Sequence, residues 1–204
     1  MSQLPPSRPK ATEAQIRAIL EDWTPRLDDP VAIVGVRGYY RDSMGAPGVN
    51  DLGQYDDAMF LVAPGVFKAV NANTDPSRAG WNPGVGKPFA MLQPGLWYFR
   101  RGPHKGKLPA LRQCTDEEAN DLGIPDDGEF RVERRFGAGD PRNYVEKGYF
   151  AINIHSGGQS STSSWGCQTI PPDQFDDFML SVFEHTKKVN QSRIPYLLIE
   201  GPIT

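Results

Sequence analysis

The segment His155-Ser-Gly-Gly-Gln-Ser-Ser-Thr-Ser-Ser-Trp-Gly-Cys167 ends an apolar stretch (Tyr149, Phe150, Ile152, Ile154) on a histidine and brings back a cysteine behind a glycine. The chain has only 3 His and 2 Cys, so scarce reactive side chains are gathered in one place. A thiol becomes a useful nucleophile when a base within hydrogen-bond reach takes its proton. A strand followed by a returning loop provides that reach, and the pattern predicts a cysteine–histidine acyl-transfer site. His155 would deprotonate Cys167, and the thiolate would attack a carbonyl to give a thioester. Strand alternation sets Ile152 and Ile154 on one face and Asn153 and His155 on the other. Gly166 permits a tight turn whose N–H groups face an oxyanion. Ser164, Trp165, Gln168 and Asn153 are the candidate substrate contacts. An inert buried cysteine beside a satisfied histidine is the commoner outcome for an arbitrary pair. Here the loop of small polar residues and the Gly-Cys step favour catalysis.

These residues resemble the signature of the L,D-transpeptidase (YkuD-type) catalytic domain, in which a His-Gly-like strand end precedes a spacer and a Ser/Thr-His-Gly-Cys run. Here the run reads His155-Ser-Gly, the spacer, then Ser164-Trp-Gly-Cys167. The resemblance implies a β-sandwich and a cysteine enzyme acting on bacterial peptidoglycan stem peptides, with Cys167 as nucleophile and His155 as base. It also implies oxyanion contacts from Gly166 and Cys167. The sequence departs from the family pattern in a shorter spacer, in Trp165 where the family has His, and in lacking an arginine soon after the cysteine. Gln168 and Thr169 stand there instead, and Arg37, Arg100 and Arg101 are the candidates to hold a substrate carboxylate in its place. The Ser-Ser-Thr-Ser-Ser-Trp-Gly-Cys-Gln-Thr-Ile phrase is similar to phage-encoded relatives, endolysin-like antibacterial enzymes that cut the wall. Hydrolysis is therefore expected ahead of cross-link formation or exchange. A catalytically silent wall-binding or particle-structural protein is the reading from another class.

The net charge of −3 argues against a generic nucleic-acid binder, which would show a basic stripe. The basic run Phe99–Lys107 is short and broken by Gly and Pro, and reads as a solvated loop or an anionic-substrate contact. No stretch approaches membrane-spanning length. The first ten residues hold no apolar core for a secretory leader, which predicts synthesis in the cytoplasm and action on the wall after release or delivery by another route. No cofactor and no metal are expected. Asp42, Asn50, Asp51, Asp56 and Asp57 crowd a Gly-rich segment, but without EF-hand spacing they read as Asx-rich turns rather than a calcium site. His104 reads as a solvated turn residue, and His185 as a cation near a helix C-terminus. Trp81, Trp97 and Trp165 read as core aromatics, with a substrate wall as the alternative. A Cys114–Cys167 disulfide would silence the nucleophile and is disfavoured. The oligomeric state is not legible.

The elements that must position the site are mainly β with peripheral helices. Residues 1–11 read as a Pro-rich lead-in and 12–204 as one catalytic domain. Thr12-Glu-Ala-Gln15 is a capping box opening a helix with Ile16, Ile19, Leu20 and Trp23 on one face, stopped by Pro25. Strands are predicted at 31–36, 59–62, 66–70, 96–99, 130–135, 148–155 and 194–199. Thr115–Glu118 caps a short polar helix ending at Gly123, and Pro171 opens a helix with Phe175, Phe178, Met179, Val182 and Phe183 on one face.

Overall fold

The computed structural model describes residues 4–23 and 28–203. Its strands are β1 Ala32–Arg37, β2 Asp57–Ala63, β3 Val66–Ala72, β4 Trp81–Asn82, β5 Lys87–Pro88, β6 Ala90–Leu92 and β7 Gly95–His104. They continue with β8 Leu108–Gln113, β9 Phe130–Arg134, β10 Tyr144–Gly148, β11 Asn153–Ser156, β12 Gln168–Ile170 and β13 Arg193–Glu200. The helices are α1 Glu13–Trp23, α2 Asp116–Asp121 and α3 Pro172–Lys188. The expected mainly β class with a few helices is what the chain adopts. None of the helices among the described residues is long and apolar enough to cross a membrane.

Eight strands form one sheet in the order β12-β11-β8-β7-β13-β1-β2-β3. Its two ends meet, because Asn73 and Thr169 exchange both backbone hydrogen bonds at 2.8 Å. The sheet is thereby nearly closed, and closure removes the free edges that would otherwise need cover. One face packs on α1 through Ile16 and Leu20 against Val34, Val36, Phe60 and Leu197. The other packs on α3 through Phe175, Phe178 and Val182, and on the small β10-β9-β6 sheet through Phe130 and Val132.

Both capping boxes form, Thr12 with Gln15 and Thr115 with Glu118. Trp23 departs from expectation: it is 54% exposed, so Ile16 and Leu20 carry the burial of α1. Pro25 lies outside the described residues. Residues 148–155 are not one strand. Ala151 takes a left-handed backbone (φ 55°), which breaks the run between β10 and β11. The Gln113 side chain pins the break by accepting from Phe150 N and donating to the carbonyls of Gly128 and Gly148. The lead-in is also tied down, since the Tyr39 hydroxyl accepts from the Lys10 and Ala11 N–H groups and the Tyr40 hydroxyl donates to the Ser7 carbonyl.

Arg37 sits wholly inside, where β1, β3, β6 and β13 approach one another. Its guanidinium is 2.8 Å from Asp75 and donates to the carbonyls of Thr74 (2.8 Å) and Leu92 (2.9 Å). Asp57 accepts from the Gly38 and Thr74 N–H groups beside it. Burial pulls the Arg37 guanidinium toward neutrality, but Asp75, Asp57 and Glu200 more than offset this and keep it charged. Arg37 is therefore a structural tie and not the expected substrate contact. Removing one partner of a buried charge cluster costs about 3–5 kcal/mol. Arg37→Met should lower urea-unfolding stability by roughly that amount, whereas a loss under about 1 kcal/mol, the range of surface pairs, would contradict the tie.

Candidate active site

Strands β11 and β12 run parallel, with Ile154 level with Gln168 and His155 level with Thr169. Residues in register on neighbouring strands share a face, and faces alternate along each strand. One step back from Gln168, Cys167 comes level with Asn153 and falls on the face of His155. The Asn153 backbone N–H draws the Cys167 thiol pKa down. The Cys167 thiol and the two nearby imidazoles, His155 and His104, present donor atoms within 4.8 Å of one another.

The returning loop is braced by its serines. Ser164 Oγ donates to the Cys167 carbonyl (2.7 Å) and accepts from Gly166 N (3.0 Å), while Ser164 N donates to Ser77 Oγ (2.8 Å). Gly166 has φ 136°, and a Cβ there would lie 2.3 Å from the Ala90 carbonyl oxygen, so only glycine fits. Its N–H is spent on Ser164. Of the two expected oxyanion donors only the Cys167 N–H remains without a partner among the described residues. Ser164 is buried as a brace, and Gln168 is wholly buried, accepting from Tyr196 Oη and donating to the Gly166 carbonyl. Asn153 turns its side-chain amide to His104. Of the four expected substrate contacts, Trp165 alone lines the cleft, and it is 58% exposed.

The cleft is a cavity of about 490 Å³ with Cys167, His155, His104, Lys105, Arg134, Tyr149 and Trp165 in its walls and no carboxylate. Arg100 is held by Glu118 and Arg101 stacks on Phe183 at 4.2 Å, so neither candidate arginine reaches it. Trp81 is exposed on the neighbouring β4–β5 hairpin, and Trp97 is half-buried with its indole N–H on the Gln93 carbonyl. His185 is buried, with its Nδ1 bonded to the Ser181 carbonyl. Six non-glycine residues among those described take left-handed backbone, and three of them line this cleft: Lys105 (φ 49°), Ala151 (φ 55°) and Ser163 (φ 57°). Such strain gathers where a site over-determines its backbone, which marks this cleft above the others.

The electrostatics follow from burial. His155 Nδ1 is 2.7 Å from the Ser156 carbonyl, which can only accept, so Nδ1 carries the proton and Nε2 is the basic atom. Burial first, then His104 and Lys105, push its pKa down to about 4. Burial pushes the Cys167 thiol up, against smaller opposing pulls from the Asn153 N–H and Lys105. At neutral pH the pair rests as thiol and neutral imidazole.

His104 was expected in solvent. Instead it is largely buried, stacked on His155 with ring centroids 4.0 Å apart and planes 16° apart. The Asn153 amide donates to its Nδ1 at 2.9 Å, which leaves the His104 proton on Nε2. Two histidines and a cysteine are zinc-type donors. Imidazole binds a metal along an in-plane lone pair, however, and nearly parallel rings aim those lone pairs side by side rather than at one point. An ion would require one ring to swing away, so the trio fits a hydrogen-bonded neutral array better than an ion cage. In the segment from Asn50 to Asp57, Asp57 accepts two backbone N–H groups, Asp56 accepts from Asp51 N, and burial first pushes Asp56 up to about 7.

Cys114 is buried, and burial followed by Glu118 pushes its thiol up to about 11. Iodoacetamide should therefore label Cys167, at the floor of an open cleft, well before Cys114. The Cys167 rate should still be climbing above about pH 8.5, the ordinary thiol midpoint. Equal slow labelling of both, or a rate already level at pH 6, would contradict this site.

No family model, curated protein or solved structure matches this chain.

Proposed function

We propose that the chain is a cysteine-dependent peptidoglycan stem-peptide hydrolase of the L,D-transpeptidase type, built on a mainly β fold related to that family's β-sandwich. The observation that carries this reading is the free His155 Nε2 on the same sheet face as the Cys167 thiol, at the floor of a cleft walled by strained backbone. Cys167 adds to the scissile carbonyl as its proton passes to His155 Nε2. The tetrahedral intermediate collapses, the leaving amine takes that proton, and a thioester remains. Water, deprotonated by the same imidazole, then frees the acid and restores the thiol.

The walls suit a peptide that carries a carboxylate. Lys105 and Arg134 are the cleft's cations, and Arg134 is committed to Glu146 and the Pro88 carbonyl. Lys105 is exposed at the rim of the cleft, close enough to act electrostatically on both His155 and Cys167. It takes the place of the family arginine missing after the cysteine. Trp165 and Tyr149 offer apolar faces to the peptide. Hydrolysis is favoured over cross-linking because an acceptor amine arrives largely as an ammonium. A cleft with two cations and no carboxylate does not hold it.

Purified sacculi incubated with the protein should release shortened stem peptides, identified by mass spectrometry, with activity unaffected by EDTA and abolished in Cys167→Ala and His155→Ala. Activity that persists in Cys167→Ala, or that chelation removes, would require another site. Net accumulation of new dimers from tetrapeptide monomers would restore the transpeptidase reading. Lys105→Gln should raise KM for a carboxylate-bearing tetrapeptide by roughly 10–100-fold, the worth of a charge-assisted contact. An unchanged KM would remove Lys105 from the carboxylate subsite.

A further inference from the structure

We propose that His104 is a third catalytic residue, donating from its Nε2–H to the oxyanion that forms on the carbonyl attacked by Cys167. This rests on the nucleophile reading above and adds to it a group that the sequence pattern does not contain. Developing negative charge on the carbonyl oxygen needs preorganised donors. The loop offers fewer than it has N–H groups, since Gly166 N is bonded to Ser164 Oγ and only the Cys167 N–H is free among the described residues. A second donor must come from elsewhere.

His104 meets the requirements. Its tautomer is set by the Asn153 amide, which donates to Nδ1 and leaves the proton on Nε2. Its ring is fixed before substrate arrives by stacking on His155 at 4.0 Å, so little reorganisation accompanies the reaction. It lines the same cleft as the thiol, with a ring nitrogen within 4.8 Å of it. The bond requires the carbonyl oxygen, one bond beyond the attacked carbon, to come within about 2.7–3.1 Å of Nε2. Burial and Lys105 both disfavour a cationic His104, so it acts as a neutral donor. Asn153 thus serves the site twice, its backbone N–H favouring the thiolate and its side chain holding His104.

Two reagents separate this role from a merely structural one. Iodoacetamide alkylates a thiol by displacement at a saturated carbon and builds no oxyanion. p-Nitrophenyl acetate acetylates it through a tetrahedral oxyanion: the S–C bond forms, the thiol proton passes to His155, and p-nitrophenolate leaves. Both rates at Cys167 are read by intact-protein mass spectrometry, on variants whose folding is verified by thermal unfolding. In His104→Ala and His104→Phe, the latter keeping a stacked ring without a donor, acetylation should fall roughly 10²–10³-fold, while alkylation stays within about threefold. His104→Gln, which returns an N–H, should recover at least about tenfold of the loss. If both rates fall together, His104 only positions the dyad. If neither falls, the oxyanion is held elsewhere. Either result overturns the proposal. A wild-type Cys167 inert to both reagents would instead overturn the nucleophile reading, and this inference with it.

Discussion

The parallel pairing of β11 with β12 is the constraint on which the site depends. Parallel neighbours normally need a long crossover, often a helix. Here the loop between Ser156 and Gln168 makes the connection. Thr169 is fixed on both sides, by pairing with His155 and by the double hydrogen bond to Asn73 that closes the sheet. A slip of one residue would move Cys167 to the opposite face from His155. Sheet closure, loop bracing by Ser77 and Ser164, and the Gly166 backbone together fix the position of the Cys167 sulfur. The buried Arg37 cluster contributes from the far end by locking Thr74, just beyond the closing bridge at Asn73.

The site that results is electrostatically quiet at rest. Burial raises the thiol and lowers the imidazole, so the two hold no thiolate–imidazolium ion pair at rest. In the proposed reaction, charge separation is deferred until a carbonyl arrives, when the partly apolar cleft would strengthen each donor that faces it. Lys105 at the rim gives the cleft its sign, and the left-handed residues Lys105, Ala151 and Ser163 shape its walls.

What could be read from the sequence was what is local. The His155…Gly166-Cys167 pattern, both capping boxes and the amphipathic face of α3 lie within single segments, and the structure keeps them. What failed was what depends on pairing. His104 sits in a Gly-Pro-His-Lys-Gly stretch that reads as a turn, and nothing local says that the hairpin it closes lies two strands from His155. Arg37 ends an apolar strand like an ordinary surface cation, yet its partners Thr74, Asp75 and Leu92 are distant in the chain. Ser164, Gln168 and Asn153 are polar residues beside a nucleophile, which suggests substrate contact. The structure uses Ser164 and Gln168 to brace the loop and Asn153 to hold His104. The break at Ala151 was invisible because alanine gives no warning of a left-handed backbone, whereas the glycine at 166 did.

The central claim is that the Cys167 sulfur carries the acyl group during turnover. Acid-quenching the protein within seconds of adding a disaccharide-tetrapeptide and weighing the intact chain tests this directly. A transient mass increase equal to the acyl fragment, mapped to Cys167 and stable to acid, is the predicted result. Turnover without any adduct on Cys167, or an adduct that also forms in Cys167→Ala, would contradict the account.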